Sequence, residues 1–219
     1  MARRSEVQLD AAVVIPLRSF AEANTRLASV LELDARAALA RSMADRVRTA
    51  AAPLPVVVVS SADDVVAWAS EHGCTTIADP GSLDAAADAG RRWAHEHGYA
   101  RAIIVHADLP LAVSLAAVSA GGREPRAVIV PDHRNDGTPV LSIPAAVKFP
   151  FAYGPGSAAL HIAAAEACGL EVQVVDDPAL AFDVDTPADL DALSETTAQR
   201  PDGSGAWSRP RINERKPAS

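Results

Sequence analysis

The stretch IIVHADLPLA, residues 103–112, sets three aliphatic residues side by side and then closes on an aspartate wedged before Leu109 and Pro110. An apolar run of strand length with no polar alternation describes a strand covered on both faces, as in a parallel sheet layered with helices. Asp108 then falls at the carboxyl end of that strand, the edge at which open α/β sheets bind ligands.

Working outward, the same pattern recurs. Short β-branched or aliphatic runs stand at 12–17, 55–61, 75–79, 101–108, 126–132, 138–144, 170–177 and 179–185. Alanine-rich segments with helical spacing fill 34–51, 63–72, 84–98 and 157–169. Strands alternating with helices of this length predict βαβ units and a three-layer, Rossmann-like α/β fold with a mostly parallel sheet. The runs 126–132 and 138–144 lack an intervening helix, which predicts an antiparallel pair and so a mixed sheet. Residues 1–194 read as a single domain. From Glu195 the periodicity stops and Pro, Gly, Ser and Arg dominate, so 195–219 reads as a disordered tail, with Trp207 its one candidate anchor.

Bulk composition excludes several roles. The formal net charge is −8, which argues against binding a nucleic-acid backbone. Apolar runs are too short for a membrane span. The opening MARRSEVQLD has no apolar core of signal length, so a cytoplasmic location is expected. Cys74 and Cys168 form no metal or redox motif and read as free thiols.

The predicted strand ends carry Arg18, Asp79, Asp108, Asp132, Asp183 and Asp185. Asp183 and Asp185 are two apart, so extended backbone projects both carboxylates to one face. Thr186 and Pro187 then read as the N-cap and first residue of a helix. Two carboxylates on one face repel unless something neutralises them. Magnesium prefers such oxygen ligands, and Asp108 from a neighbouring strand end completes a set of three. The alternative for Asp183 or Asp185 alone is a helix-capping role. DVDT also matches the D-x-D-x-T pattern of haloacid-dehalogenase-type phosphatases. That reading is set aside because their nucleophile strand opens the fold, whereas Asp183 follows nearly all of it.

Six stretches occur together: IPLRSFAEANTRLA (15–28), ADPGSLDAA (78–86), ADLPLA (107–112), DGTPVLSIP (136–144), YGPGSAALH (153–161) and FDVDTPADL (182–190). In this order the chain resembles the 2-phospho-L-lactate or phosphoenolpyruvate guanylyltransferases of deazaflavin coenzyme (factor 420) biosynthesis. The resemblance implies a nucleotide-diphospho-sugar-transferase type of fold. It also implies transfer of GMP from GTP to a small phosphorylated acid such as phosphoenolpyruvate, 2-phospho-L-lactate or 3-phosphoglycerate, with pyrophosphate released. Asp108, Asp183 and Asp185 would be the catalytic, magnesium-binding residues. Thr138, Gly154 and Ser157 would hold the acid, and the GPGS turn at a helix start suits an anion. His161, one helical turn beyond Ser157, could reach the same anion or be a core histidine. Arg18, Arg26, Asp79 and Asp84 stand on the nucleotide side.

The sequence departs from the family pattern at Asn24 and Arg18, where lysines are usual, and at Asp84, where asparagine is usual. These departures leave open a non-catalytic or divergent nucleotide-binding homologue, or a transferase of another base or acceptor. A homodimer and hand-over of the product to a downstream transferase complete the expectations.

Overall fold

The computed structural model describes residues 10–198 apart from 121 and 123. Seven strands form one sheet: β1 (Ala11–Pro16), β2 (Val56–Val59), β3 (Thr75–Ile77), β4 (Arg101–Val105), β5 (Arg126–Val130), β6 (Val140–Pro144) and β7 (Glu171–Val174). Their spatial order is β3-β2-β1-β4-β6-β5-β7. Strand β6 runs against both neighbours, while every other pairing is parallel. The antiparallel pair expected from the short 132–137 connection is therefore β5–β6, and β6 is inserted between β4 and β5. Because β6 is reversed, its first residues arrive at the same rim as the carboxyl ends of β1, β4 and β5.

The helices are α1 (Leu33–Ala50), α2 (Asp63–Glu71), α3 (Leu83–Glu96), α4 (Ala116–Ser119), α5 (Ser157–Ala167), α6 (Pro178–Ala181) and α7 (Pro187–Ala198). The sheet is buried on both faces, and strand alternation decides which residue goes where. Ala11, Val13, Ile15, Ile103, Val105, Val128 and Val130 face Val47 of α1, Val118 of α4 and Leu180 of α6. Ala12, Val14, Val57, Val59, Ile104, Ile129 and Leu141 face Ala87 and Ala94 of α3 and Ala165 of α5. This is the three-layer α/β arrangement that the doubly apolar β4 implies. Outside it, Leu190 and Leu193 of α7 close a smaller cluster with Leu39 and Met43 of α1. Among the described residues no helix is long and apolar enough to cross a membrane.

Two expectations need correction. The run 179–185 is not an eighth strand. Pro178 starts the single turn α6, and the Asp177 side chain caps it by accepting from the N–H groups of Ala179 and Leu180. The chain then continues extended, with Val184 donating to the Asp108 carbonyl at 3.2 Å. The helix that follows also outlasts the boundary drawn at 194, since α7 runs to Ala198. Its start is as expected: the Asp189 carboxylate accepts from the Thr186 N–H and hydroxyl at 2.7 and 2.8 Å, a capping box built with aspartate. Trp207 and the rest of the tail lie outside the described residues.

Alanine-rich helices bring α3 close to the sheet, and Gly90 marks the tightest point. A Cβ added there would lie 2.1 Å from Val14 Cγ1, and Val14 is a fully buried, β-branched strand residue with little freedom to turn away. At so close an approach overpacking falls at the upper end of its usual range, about 3 kcal/mol, against the roughly 1 kcal/mol that alanine gains over glycine in a helix. Gly90→Ala is therefore expected to destabilise the protein by about 2 kcal/mol. A denaturant midpoint equal to or above that of the parent chain would contradict this packing.

Candidate active site

A cleft of about 660 Å³ opens over the rim where β1 and β4 end and β6 begins. It is lined by Arg18, Arg26, Asp79, Asp108, Thr138, Gly154, Ser157, Asp183 and Asp185, all chosen from the sequence. Asp84 and His161, chosen with them, do not line it. The parallel topology explains the convergence, because a residue just past the end of each parallel strand must appear at one rim.

Six aspartates line the cleft, and their partners separate them into two kinds. Asp79 accepts from the Gly81 N–H at 2.8 Å. Asp132 accepts from the N–H groups of Arg134, Asp136 and Gly137, so it ties off the turn into β6. A side chain on Gly137 would collide with that carboxylate, its Cβ lying 2.7 Å from Asp132 Oδ2. Asp136 accepts from the Gly156 N–H at 3.0 Å. These three hold loops in place. The remaining three are the ones predicted to act together. Buried Asp108 Oδ1 and Asp183 Oδ1 have no hydrogen-bond partner. Asp183 Oδ1 does lie 3.2 Å from His133 Nδ1 and 3.7 Å from the Arg134 guanidinium, neither with hydrogen-bond geometry. Asp185 meets Arg26 at 2.6 Å across the mouth of the cleft.

Phe182 is extended and Val184 is wholly buried. Asp183 and Asp185 on either side of Val184 therefore turn to the cleft, as the two-residue spacing predicted, although no sheet ladder holds them. Behind them Asp189 accepts from the Asp185 N–H at 3.1 Å and pairs with Arg134. Burial, with the Asp185 charge adding to it, raises the Asp108 carboxyl to about 7. Burial followed by the charges of Asp108 and Asp185 raises Asp183 to about 6. Among the described residues, no group of three or more His, Cys, Asp or Glu side chains is arranged so that it could hold a metal ion, so Asp108, Asp183 and Asp185 share a cleft without forming the ligand set expected of them.

At the other side of the cleft, Thr138 and Ser157 are buried hydroxyls 3.3 Å apart. Gly154 and Gly156 have φ of 130° and 73°, open to glycine and strained for other residues. The GPGS turn does not present the row of free N–H groups that its glycines suggest. The Gly156 N–H goes to Asp136 Oδ1, the Ser157 N–H to the Gly154 carbonyl and the Ala158 N–H to the Asp136 carbonyl. Of the two readings left open for His161, anion contact or core histidine, the structure shows the core position. The ring sits behind Thr138, fully buried, with Nδ1 3.0 Å from Thr138 Oγ1 and Nε2 accepting from the Ala152 N–H.

Beyond the end of β1, the Arg18 guanidinium reaches the Gly81 carbonyl at 3.4 Å. Asn24 adopts a left-handed conformation with φ of 52°, which asparagine tolerates better than most residues. This gives a local reason for asparagine at the position. Its buried Nδ2 has no partner and the residue lines the cleft. Asp84 is corrected: it lies in the first turn of α3, and its carboxylate accepts from the Tyr153 N–H at 2.7 Å. That contact bridges α3 to the loop before α5, and Asp84 is not among the residues lining the cleft. Sequence reading missed His106 and Tyr153, which line the cleft with buried, unpartnered Nε2 and Oη atoms. Each directly flanks a quoted motif, ADLPLA or GPGS, and that adjacency was the available signal.

A mixed sheet with one carboxylate-rich cleft over its strand ends, arginines at one side and hydroxyls at the other, defines a nucleotidyltransferase. Comparison with known proteins narrows the class. The family described as Guanylyl transferase CofC like matches residues 11–196, and the chain belongs to that family. The phosphoenolpyruvate guanylyltransferase of Rubrobacter xylanophilus is 37% identical over 187 residues, covering 82% of this chain and 91% of that protein. Its counterpart from Sphaerobacter thermophilus is 34% identical over 188 residues, covering 83% and 91%. Among solved structures, a candidate nucleotide-diphospho-sugar transferase from Desulfovibrio desulfuricans G20 has the same fold. Its TM-score is 0.73 at 18% identity, over 88% of this chain and 89% of that one.

The raised carboxyls predict an unusual pH response without metal. Asp108 and Asp183 titrate at about 7 and about 6, against 3.8 ordinarily. Between about pH 4 and 7 the folded state therefore binds more protons than the unfolded chain, so stability must fall as pH rises through that window. In a chelating buffer, Asp108→Asn should melt at a higher temperature than the parent chain at pH 8, with the gap closing toward pH 4. Equal melting temperatures at pH 8 would remove the electrostatic conflict assigned to Asp108.

Proposed function

We propose that this protein transfers GMP from GTP to a small phosphorylated three-carbon acid, with phosphoenolpyruvate the first candidate, and releases pyrophosphate. The observation that carries the reading is that Asp108 and Asp183, each with a buried Oδ1 that makes no hydrogen bond, share one cleft with the Thr138–Ser157 hydroxyls. One side suits a triphosphate and its counter-ion, the other a second anion. The family and the names of the similar proteins support guanylyl transfer and this acceptor.

Two carboxylates with an unpartnered oxygen each have the donor chemistry that a divalent cation takes, although the side chains as they stand are not gathered round one point. Asp108 and Asp183, with Asp185 beside them, would hold it, magnesium being the natural choice because it keeps part of its shell for water and phosphate and needs no complete protein cage. Bound there, the ion neutralises charge on the triphosphate and its leaving group.

The chain's own groups then bind and align. An acceptor phosphate oxygen attacks the α-phosphorus in line; that P–O bond forms as the bond to the β-phosphate oxygen breaks, and pyrophosphate departs with the electron pair. A phosphate monoester loses its second proton near about pH 6, so the nucleophile is already ionised at neutral pH. No general base is required. None is offered by His161, whose ring nitrogens are both engaged and whose burial holds its pKa down at about 4. Arg18 and Arg26 supply positive charge on the nucleotide side, Arg26 being free to exchange an exposed carboxylate contact for a phosphate. Alignment and charge neutralisation account for the catalysis. A cytoplasmic location, and delivery of the product to a following transferase, go with this proposal.

Pyrophosphate release measured over four nucleoside triphosphates and a panel of phosphorylated acids tests it. GTP with phosphoenolpyruvate should give the highest rate, and Asp108→Asn should lower it at least about a hundredfold while remaining folded. Millimolar magnesium should raise the melting temperature of the parent chain more than that of the variant, a readout independent of turnover. Release with another base, or none with any pair, would overturn the assignment.

A further inference from the structure

A chain of hydrogen bonds leads from the backbone into the acceptor side of the cleft. The Ala152 N–H meets His161 Nε2 at 3.0 Å, His161 Nδ1 meets Thr138 Oγ1 at 3.0 Å, and Thr138 Oγ1 lies 3.3 Å from Ser157 Oγ. The imidazole is wholly buried and packed against Tyr153 and Phe149, with ring centroids 4.7 and 5.9 Å away.

This chain has a direction. A backbone N–H can only donate, so Nε2 must accept through its lone pair. A neutral imidazole then carries its one proton on Nδ1 and donates it to Thr138. Burial, aided by the neighbouring His106 and opposed by Asp84, keeps the ring in that neutral form. With one lone pair of Thr138 filled by His161, two arrangements remain. Ser157 donates to Thr138, and the Thr138 proton turns to the cleft; or Thr138 donates to Ser157, and the Ser157 proton does. Both residues line the cleft. In either case one hydroxyl proton faces the ligand.

We propose that His161 is a positioning residue that acts through Thr138, polarising the Thr138–Ser157 pair into a hydrogen-bond donor that selects an oxyanion of the acceptor acid. The inference rests on the reading of this side of the cleft as the acceptor pocket. It also accounts for the GPGS turn, whose N–H groups at Gly156, Ser157 and Ala158 are used internally and leave recognition to the hydroxyls. A threonine hydroxyl without His161 behind it rotates freely and can offer a lone pair to the ligand instead, which an anion rejects.

The test is a double-mutant cycle in steady-state kinetics with GTP, magnesium and phosphoenolpyruvate, using Thr138→Val, His161→Phe and the double variant. Each single change should raise KM for the acid by about tenfold or more while KM for GTP moves less than about twofold. Because His161 acts through the Thr138 hydroxyl, the double variant should be no worse than Thr138→Val. Should His161→Phe not fold, His161→Leu, which likewise cannot donate to Thr138, is read in the same cycle. Effects that multiply, or an unchanged acid KM in the His161 variant beside a raised one in Thr138→Val, overturn the role of His161 alone. An unchanged acid KM in Thr138→Val overturns the acceptor-pocket reading and this inference with it.

Discussion

A carboxylate withdrawn from water must find a hydrogen bond, a counter-charge or a proton, and the cleft is organised by how its six aspartates, which range from buried to exposed, are partnered. Asp79, Asp132 and Asp136 accept from backbone N–H groups, and in doing so they shape the loops that carry Gly81, Gly137 and Gly156. Asp108 and Asp183 are left with unpartnered oxygens, and both carboxyls hold protons to higher pH than usual. Stability is withheld at the one place where binding can restore it. The fold tolerates this because the sheet beneath is buried on both faces and over-determines where these side chains stand.

Loop-holding and ligand-facing groups are linked across the cleft. Asp132 secures the turn that delivers Thr138 at the head of β6, and Asp136, from the same turn, fastens the glycine turn that opens α5. Asp84 joins α3 to Tyr153 in the loop before α5. Asp189 fixes the backbone of Asp185 and Thr186. Each of these carboxylates sits one hydrogen bond behind a ligand-facing residue. Their loss would alter alignment before it altered charge.

How far the sequence could be read differs from element to element. The doubly apolar run at 101–105, the helical spacing of 84–98 and the short link at 132–137 identified the sheet, its layers and its one antiparallel strand. These signals are local periodicities set by burial, so they survive without coordinates. The run 179–185 misled because its apolar content matches a strand, while Pro178 and the Asp177 cap turn its start into a helix. The two-residue spacing of Asp183 and Asp185 nevertheless gave the correct common face, since extended backbone alternates with or without a neighbouring strand. His161 was open between an anion contact and a core role on its helical spacing from Ser157, and Asp84 was placed beside the nucleotide by the family resemblance. Both are in fact consumed by the loop at 152–153, a contact made 9 and 69 residues away in the chain.

By itself, then, the sequence determined the α/β class, the rim at which chemistry-bearing residues gather, and the family whose six stretches it carries in order. Those follow from hydrophobic period and from residue type, which act over a few positions. Only the tertiary structure decided which aspartates are spent on backbone and which remain available, and that His161 serves Thr138 instead of facing the cleft. A hydrogen bond is satisfied by whatever polar atom lies within about 3 Å, and that neighbour is chosen by the packing of distant segments, which no local pattern records.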